Sequence, residues 1–154
     1  MEIKLLNENE EFVETVSKMI YKEFVLSSSN KMPFNDVVDF FSNTHAFKFP
    51  ITFIAILDNQ CVGTVSVFEN DYKKLPNYKP WLASLYVEPN YRDRKIGVQL
   101  IEALLKHLVV LGFKEVYLKT ENASEYYKNR CWKLVESVLN DHNENIDIFK
   151  YSLV

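Results

Sequence analysis

Arg92, Arg94 and Lys95 stand directly ahead of Gly97 in the stretch Tyr91–Val98, YRDRKIGV. A short apolar strand precedes this stretch and an amphipathic helix follows it, so the three cations crowd a helix start. A helix start carries unpaired backbone N–H groups and the positive end of the helix dipole, and it attracts an anion. Basic side chains there run against the usual dipole preference. Together with the backbone donors they suit a multiply charged anion such as a pyrophosphate. Gly97 has no side chain, so a ligand could approach its backbone closely. A solvated loop with surface arginines is the competing reading. The spacing is neither G-x-x-x-x-G-K-[ST] nor G-x-G-x-x-G, because the stretch holds one glycine.

A second constellation is Asn122–Trp132, NASEYYKNRCW. Asn122 comes just after a strand, and Tyr127 lies on a short helix. A phenol with an ordinary pKa of about 10 stays protonated at neutral pH and can protonate a thiolate leaving group. Tyr126 and Tyr127 can equally be half-buried aromatics with polar tips.

The elements that position these residues follow from periodicity. Residues 2–6 read as an edge strand. Phe12, Val16, Met19, Ile20 and Phe24 recur at helical spacing, with Asn7 or Asn9 as the cap. Residues 27–31 are a polar loop, and Pro33 with Asn35 opens a second short helix. Residues 51–57 and 61–68 form a hairpin about Asp58-Asn59-Gln60. Residues 81–88, apolar on both faces, make a central strand, with Ser84 and Tyr86 expected on one face. Leu100, Ile101, Leu104, Leu105, Leu108 and Leu111 form the stripe of a helix that Gly112 ends. A strand at 115–119, a short helix at 123–129 and strands at 132–138 and 146–153 complete the chain. The order is β-αα-βββ-α-β-α-ββ, a single α+β domain over residues 1–154 with a mixed, mostly antiparallel sheet flanked by helices.

Composition narrows the partners. The 154 residues suffice for one domain with a real core. A net charge of −3 excludes a general nucleic-acid surface, so any basic site is local. No apolar run approaches the roughly 20 residues that span a bilayer. The first residues do not read as a targeting segment. Cys61 and Cys131 lack metal-ligand spacing, and together these features predict a reducing, cytoplasmic setting and no metal.

The residues quoted so far resemble the GCN5-related N-acetyltransferase family. Its hallmark, a strand, then [QR]-x-x-G-x-[GA], then a long helix, appears as Arg92-Asp93-Arg94-Lys95-Ile96-Gly97. The lead-in V-x-P-x-Y-R appears as Val87-Glu88-Pro89-Asn90-Tyr91-Arg92. The second signature, Y-x-x-x-G-[FY], is matched by Tyr127–Trp132. Two family glycines are replaced, one by Lys95 and one by Cys131. Lys95 keeps the backbone N–H and can add charge or crowd the loop.

The resemblance implies an N-acyltransferase fold with acetyl-CoA as cosubstrate. It places the pantetheine arm along Leu85, Tyr86 and Val87, the pyrophosphate on the N–H groups of Arg92, Asp93, Arg94, Lys95, Ile96, Gly97 and Val98, and a further hydrogen bond on Asn122. It implies direct attack by a small-molecule or protein amine, with Tyr127 as general acid. Glu69 and Glu88, at two strand ends, are the acids placed to take the amine's proton, or are solvated strand-end carboxylates. Tyr21, Phe24, Phe34, Phe40, Phe41 and Tyr72 fill the core or wall the acceptor pocket. A homodimer through the C-terminal strands is left open, and a non-catalytic acyl-CoA-binding domain is the alternative function.

Overall fold

The structure, a computed structural model, describes residues 1–28 and 31–153. Of the polar loop expected over 27–31, Ser29 and Asn30 lie outside the described residues. Seven strands form one sheet: β1 (Glu2–Leu5), β2 (Ile51–Leu57), β3 (Gln60–Phe68), β4 (Trp81–Val87), β5 (Glu115–Thr120), β6 (Lys133–Leu139) and β7 (Asn145–Ser152). Their spatial order is β1-β2-β3-β4-β5-β7-β6. All neighbours are antiparallel except β4 and β5. The expected order of elements and the mixed sheet are both present.

The β2–β3 hairpin turns on Asp58 (φ 52°) and Asn59 (φ 62°), residue types that tolerate the left-handed backbone a two-residue turn requires. β2 and β3 are buried along nearly their whole length because helices cover both faces of the sheet. On one face lie α1 (Val13–Ile20) and α2 (Phe34–Ser42). Val16, Met19, Val37 and Phe41 pack there on Ile54, Ile56 and Cys61. On the other face α3 (Ile96–Val110) buries Leu100, Leu104 and Leu108 against Phe53, Val65 and Leu118. Complete burial of each such leucine contributes about 1.5–3 kcal/mol. A final short helix, α4 (Ser124–Lys128), lies on this second face.

Both ends of the first helical segment depart from expectation. Neither Asn7 nor Asn9 caps α1; the Asn9 side-chain amide donates to the Leu5 carbonyl instead, at 2.9 Å. The helical pattern through Phe24 is also not one helix. After Ile20 the chain widens into a π-turn, Tyr21–Val25, in which the Leu26 N–H bonds back to the Tyr21 carbonyl at 2.9 Å.

Gly112 ends α3 as its spacing predicts. It adopts φ 90°, the Phe113 N–H reaches the Leu108 carbonyl and the Gly112 N–H reaches Val109, both at 3.0 Å. This is the left-handed helix stop that glycine favours.

Candidate active site

The site begins with an irregularity in β4. Ala83 pairs with Ser66 and Tyr86 with Thr64, so Ser84 and Leu85 stand opposite the single Val65. Ser84 takes φ 55° to fit this bulge. The alternation expected of Ser84 and Tyr86 is thereby broken: the two do not share a face. Tyr86 packs toward the α1 layer. Gly63 permits the close approach of β3, since a Cβ there would lie 3.0 Å from the Tyr86 carbonyl oxygen and 3.2 Å from Leu100.

Beyond the bulge β4 also leaves β5. The two pair in parallel at Trp81 and Tyr117 and then diverge. The opening beside Leu85, Tyr86 and Val87 is a cleft of 530 Å³. The Glu88 N–H bonds to Val62 of β3 at 2.9 Å. By strand alternation the main-chain groups of Leu85 and Val87 therefore face the open edge. The Val87 carbonyl there accepts a hydrogen bond from Arg92 Nε at 2.8 Å.

The start of α3 forms the second wall. Ile96, Gly97 and Val98 line the cleft, and they are the first residues of the helix, whose N–H groups have no intrahelical partner. Asp93 and Lys95 hold left-handed backbone, with φ 64° and 62°, so the turn aims these amides at the opening. Gly97 is needed neither for its φ nor for its packing. A Cβ added there would meet only Val87, at an ordinary 3.9 Å, and would otherwise project into free space.

The cations are unevenly used. Arg92 and Lys95 line the cleft, with Arg92 also lying over the Tyr86 ring at 5.5 Å. Arg94 is not among the lining residues and stacks on Tyr91 at 5.3 Å. Arg130, from the end of α4, also lines the cleft; its guanidinium lies 3.7 Å from the Tyr126 ring centroid. Periodicity and helix-start arguments missed Arg130, because a single arginine after a short helix carries no pattern.

Tyr127 and Tyr126 divide the expected role. Tyr126 lines the cleft. Tyr127 is buried among Tyr126, Trp132 and Phe149 at ring distances of 5.2, 5.8 and 6.2 Å. Burial first, and then the neighbouring Tyr126, push its phenol up to about 12, so it is fully protonated at neutral pH. Its position depends on the stop of α4. Cys131 adopts φ 71°, with the Trp132 N–H on the Tyr127 carbonyl at 3.1 Å and the Cys131 N–H on Lys128 at 3.4 Å. Cys131 thus occupies the left-handed stop that Gly112 fills in α3.

Neither sequence-derived carboxylate lines this cleft. Glu69 follows the far end of β3 and faces Lys79 at 3.7 Å, with both side chains about half exposed. Glu88 lines a smaller cavity of 230 Å³ on the α1 side, which it shares with Tyr86, Lys18 and Lys22. Asn122 lies in a third cavity, of 610 Å³, with Phe24, Glu121, His142 and Glu144. Of the six aromatics expected to wall an acceptor pocket, Phe24 alone lines one of these three cavities. The carboxylates that do line the cleft are Asp93, in the turn ahead of α3, and Glu23, on the π-turn. No helical pattern marks Glu23, because the π-turn shifts the residues after Ile20 off the α-helical phase. Among the described residues no cluster of His, Cys, Asp and Glu could hold a metal ion, and no helix is long and apolar enough to cross a membrane.

Comparison with known proteins agrees with this architecture. An uncharacterized N-acetyltransferase of Schizosaccharomyces pombe is 31% identical over 91 residues, 57% of this chain. The chain spans 62% of that protein's length. An aminoglycoside 6′-N-acetyltransferase complexed with coenzyme A superposes with a TM-score of 0.77 at 16% identity, over 100% of this chain and 98% of its own. An N-acetyltransferase from Staphylococcus aureus does so with a TM-score of 0.77 at 12% identity, over 100% of both chains. At such identities the likeness concerns the fold. The acetyltransferase (GNAT) family model matches residues 17–133, which carry β2 to β5, the bulge, the start of α3 and α4, and the chain belongs to that family.

Proposed function

We propose that this protein transfers an acetyl group from acetyl-CoA to a primary amine by direct attack. The observation that carries this reading is the free space over Gly97. A glycine inside the first turn of a helix is destabilising by roughly 0.5–1 kcal/mol relative to alanine. At Gly97 neither packing nor φ requires it, and a Cβ would project into the cleft that Gly97 lines. The amides of Ile96, Gly97 and Val98, with Arg92 and Lys95, suit a pyrophosphate. The open edge at Leu85 and Val87 suits the amides of a pantetheine arm, as an added strand would pair. One acceptor on that edge, the Val87 carbonyl, already serves Arg92.

Tyr127 donates its proton to the departing thiolate. Its hydroxyl makes no hydrogen bond among the described residues, and burial keeps it protonated at neutral pH until the charge of the thiolate develops. Glu88 takes the acceptor's proton through water, with Tyr86 lining both the cleft and the cavity that holds Glu88. Glu69, beyond the far end of β3 and facing Lys79, has no part in this step.

The test is acetyl-CoA binding followed by thiol release over a panel of amines. Acetyl-CoA is expected to raise the melting temperature, and at least one amine to release thiol. Binding without release on any amine supports a non-catalytic acyl-CoA-binding domain instead. No binding at all ends the proposal. In Tyr127→Phe, turnover is expected to fall by roughly 10²-fold or more with acetyl-CoA affinity kept; unchanged turnover removes Tyr127 as the acid.

A further inference from the structure

The cleft opens to both faces of the sheet. Gly97, Val98, Tyr126 and Arg130 reach it from the α3 and α4 layer, while Glu23 reaches it from the α1 side. The bulge and the splay make this passage, because they remove the main chain that would otherwise close the sheet between β4 and β5. The two mouths differ in charge. The α3 side presents Lys95 and Arg130, with Asp93 on the same turn as Lys95, while Arg92 stands between the two mouths, over the Tyr86 ring. On the α1 side the cleft is lined by the carboxylate of Glu23; the other carboxylate in its lining, Asp93, belongs to the turn ahead of α3. The Glu23 side chain is exposed and makes no ion pair within 4.0 Å among the described residues.

Glu23 also sits close enough to act on Tyr86. Burial raises the Tyr86 phenol, and the negative charges of Glu88 and Glu23 raise it further against the opposing charge of Arg92. The π-turn explains the placement. It sets Tyr21 to Val25 off the line of α1, whose buried face is Val13, Val16, Met19 and Ile20, and leaves Glu23 over the opening.

We infer that Glu23 binds the acceptor: its carboxylate holds the ammonium group of an alkyl amine at the α1 mouth, opposite the phosphate-binding mouth. This rests on the acetyl-CoA reading of the cleft. It names the acceptor class as a cation rather than an aromatic amine or a hydroxyl, and it makes Glu23 a recognition residue rather than the proton acceptor.

The test uses coenzyme A and two of its thioethers, S-(2-aminoethyl)-coenzyme A and the uncharged S-propyl-coenzyme A. Calorimetry on the wild-type protein and on Glu23→Gln gives three dissociation constants for each. The wild type is expected to prefer the aminoethyl derivative by roughly tenfold, the size of one partly solvated ion pair. Glu23→Gln is expected to bind both derivatives alike and coenzyme A within about twofold of wild type. A preference that survives Glu23→Gln, or a wild type without one, overturns the role of Glu23 and leaves the acetyl-CoA reading standing. A Glu23→Gln variant that loses affinity for coenzyme A itself places Glu23 beside Arg92 as a structural partner and also overturns it. A wild type that binds none of the three removes the acetyl-CoA reading and this inference with it.

Discussion

Three residues at the site contradict ordinary local preference, and each contradiction can be measured. Gly97 occupies a helical position where alanine fits without a clash. Gly97→Ala should therefore stabilise the fold by about 0.5–1 kcal/mol and weaken acetyl-CoA binding at the same time. Denaturant titration and calorimetry on the same sample check both signs, and a loss in both would mean that Gly97 serves packing. Lys95 and Cys131 are the reverse case. They stand at the glycine positions of the motifs that the sequence resembles, and both adopt left-handed backbone, φ 62° and 71°. The geometry has been kept while the residue suited to it has gone, at a cost of about 1–2 kcal/mol each. Cys131→Gly should recover about 1 kcal/mol and raise Tm by about 2–4 °C with acetyl-CoA affinity unchanged. Lys95→Gly should recover a similar amount but lose affinity, because the lysine lines the cleft. Equal affinities for Lys95→Gly and wild type would show that the backbone alone grips the anion.

The elements were legible in the sequence wherever one interaction dominated. The α3 stripe, its stop at Gly112 and the buried β2–β3 hairpin each follow from burial or from a single turn residue. Backbone irregularities were not legible. Ser84 in a run of apolar strand residues reads as one more alternating position, yet it carries φ 55° and turns Leu85, Tyr86 and Val87 into a cleft wall. The π-turn is equally silent, and it brings Glu23 to the cleft, which neither Glu69 nor Glu88 lines. Arg94 shows the limit of composition: the basic cluster was evident, but stacking on Tyr91 takes one of its three cations out of the lining. Substitution at the bulge tests its importance. Ser84→Gly suits the positive φ and should leave stability equal or up to about 1 kcal/mol higher. Ser84→Val forces a β-branched residue into that region and should cost at least about 1–3 kcal/mol. If the bulge holds the cleft open, Ser84→Val also loses acetyl-CoA affinity under conditions where circular dichroism shows it folded. Retained affinity would show that the splay from β5 suffices.

On the scale of the whole molecule, the sheet is divided between two helical layers, and the division shows in its response to alkali. Tyr127 closes the α3 and α4 side of the core against Trp132 and Phe149, with its phenol raised to about 12. In the unfolded chain a tyrosine titrates near ~10. The folded value is the higher one, so its contribution is intact below about pH 10 and is lost as pH rises toward 12, because the unfolded state then releases its proton first. At pH 11 these two values correspond to a loss of about 1.4 kcal/mol. Tyr117, raised by burial and then by its hydrogen bond to Glu115, adds an alkaline loss of the same sign on the opposite side of the sheet. Tyr127→Phe removes the first loss and leaves the second. Urea unfolding at pH 8 and pH 11 should therefore show the variant losing less stability than the wild type over this interval, by about 1 kcal/mol. Because the variant keeps the ring, it separates the hydroxyl from the packing. Parallel losses in the two proteins would mean that the Tyr127 hydroxyl reaches solvent freely enough to titrate like any other phenol. The core would then not be what keeps its proton in place for a departing thiolate.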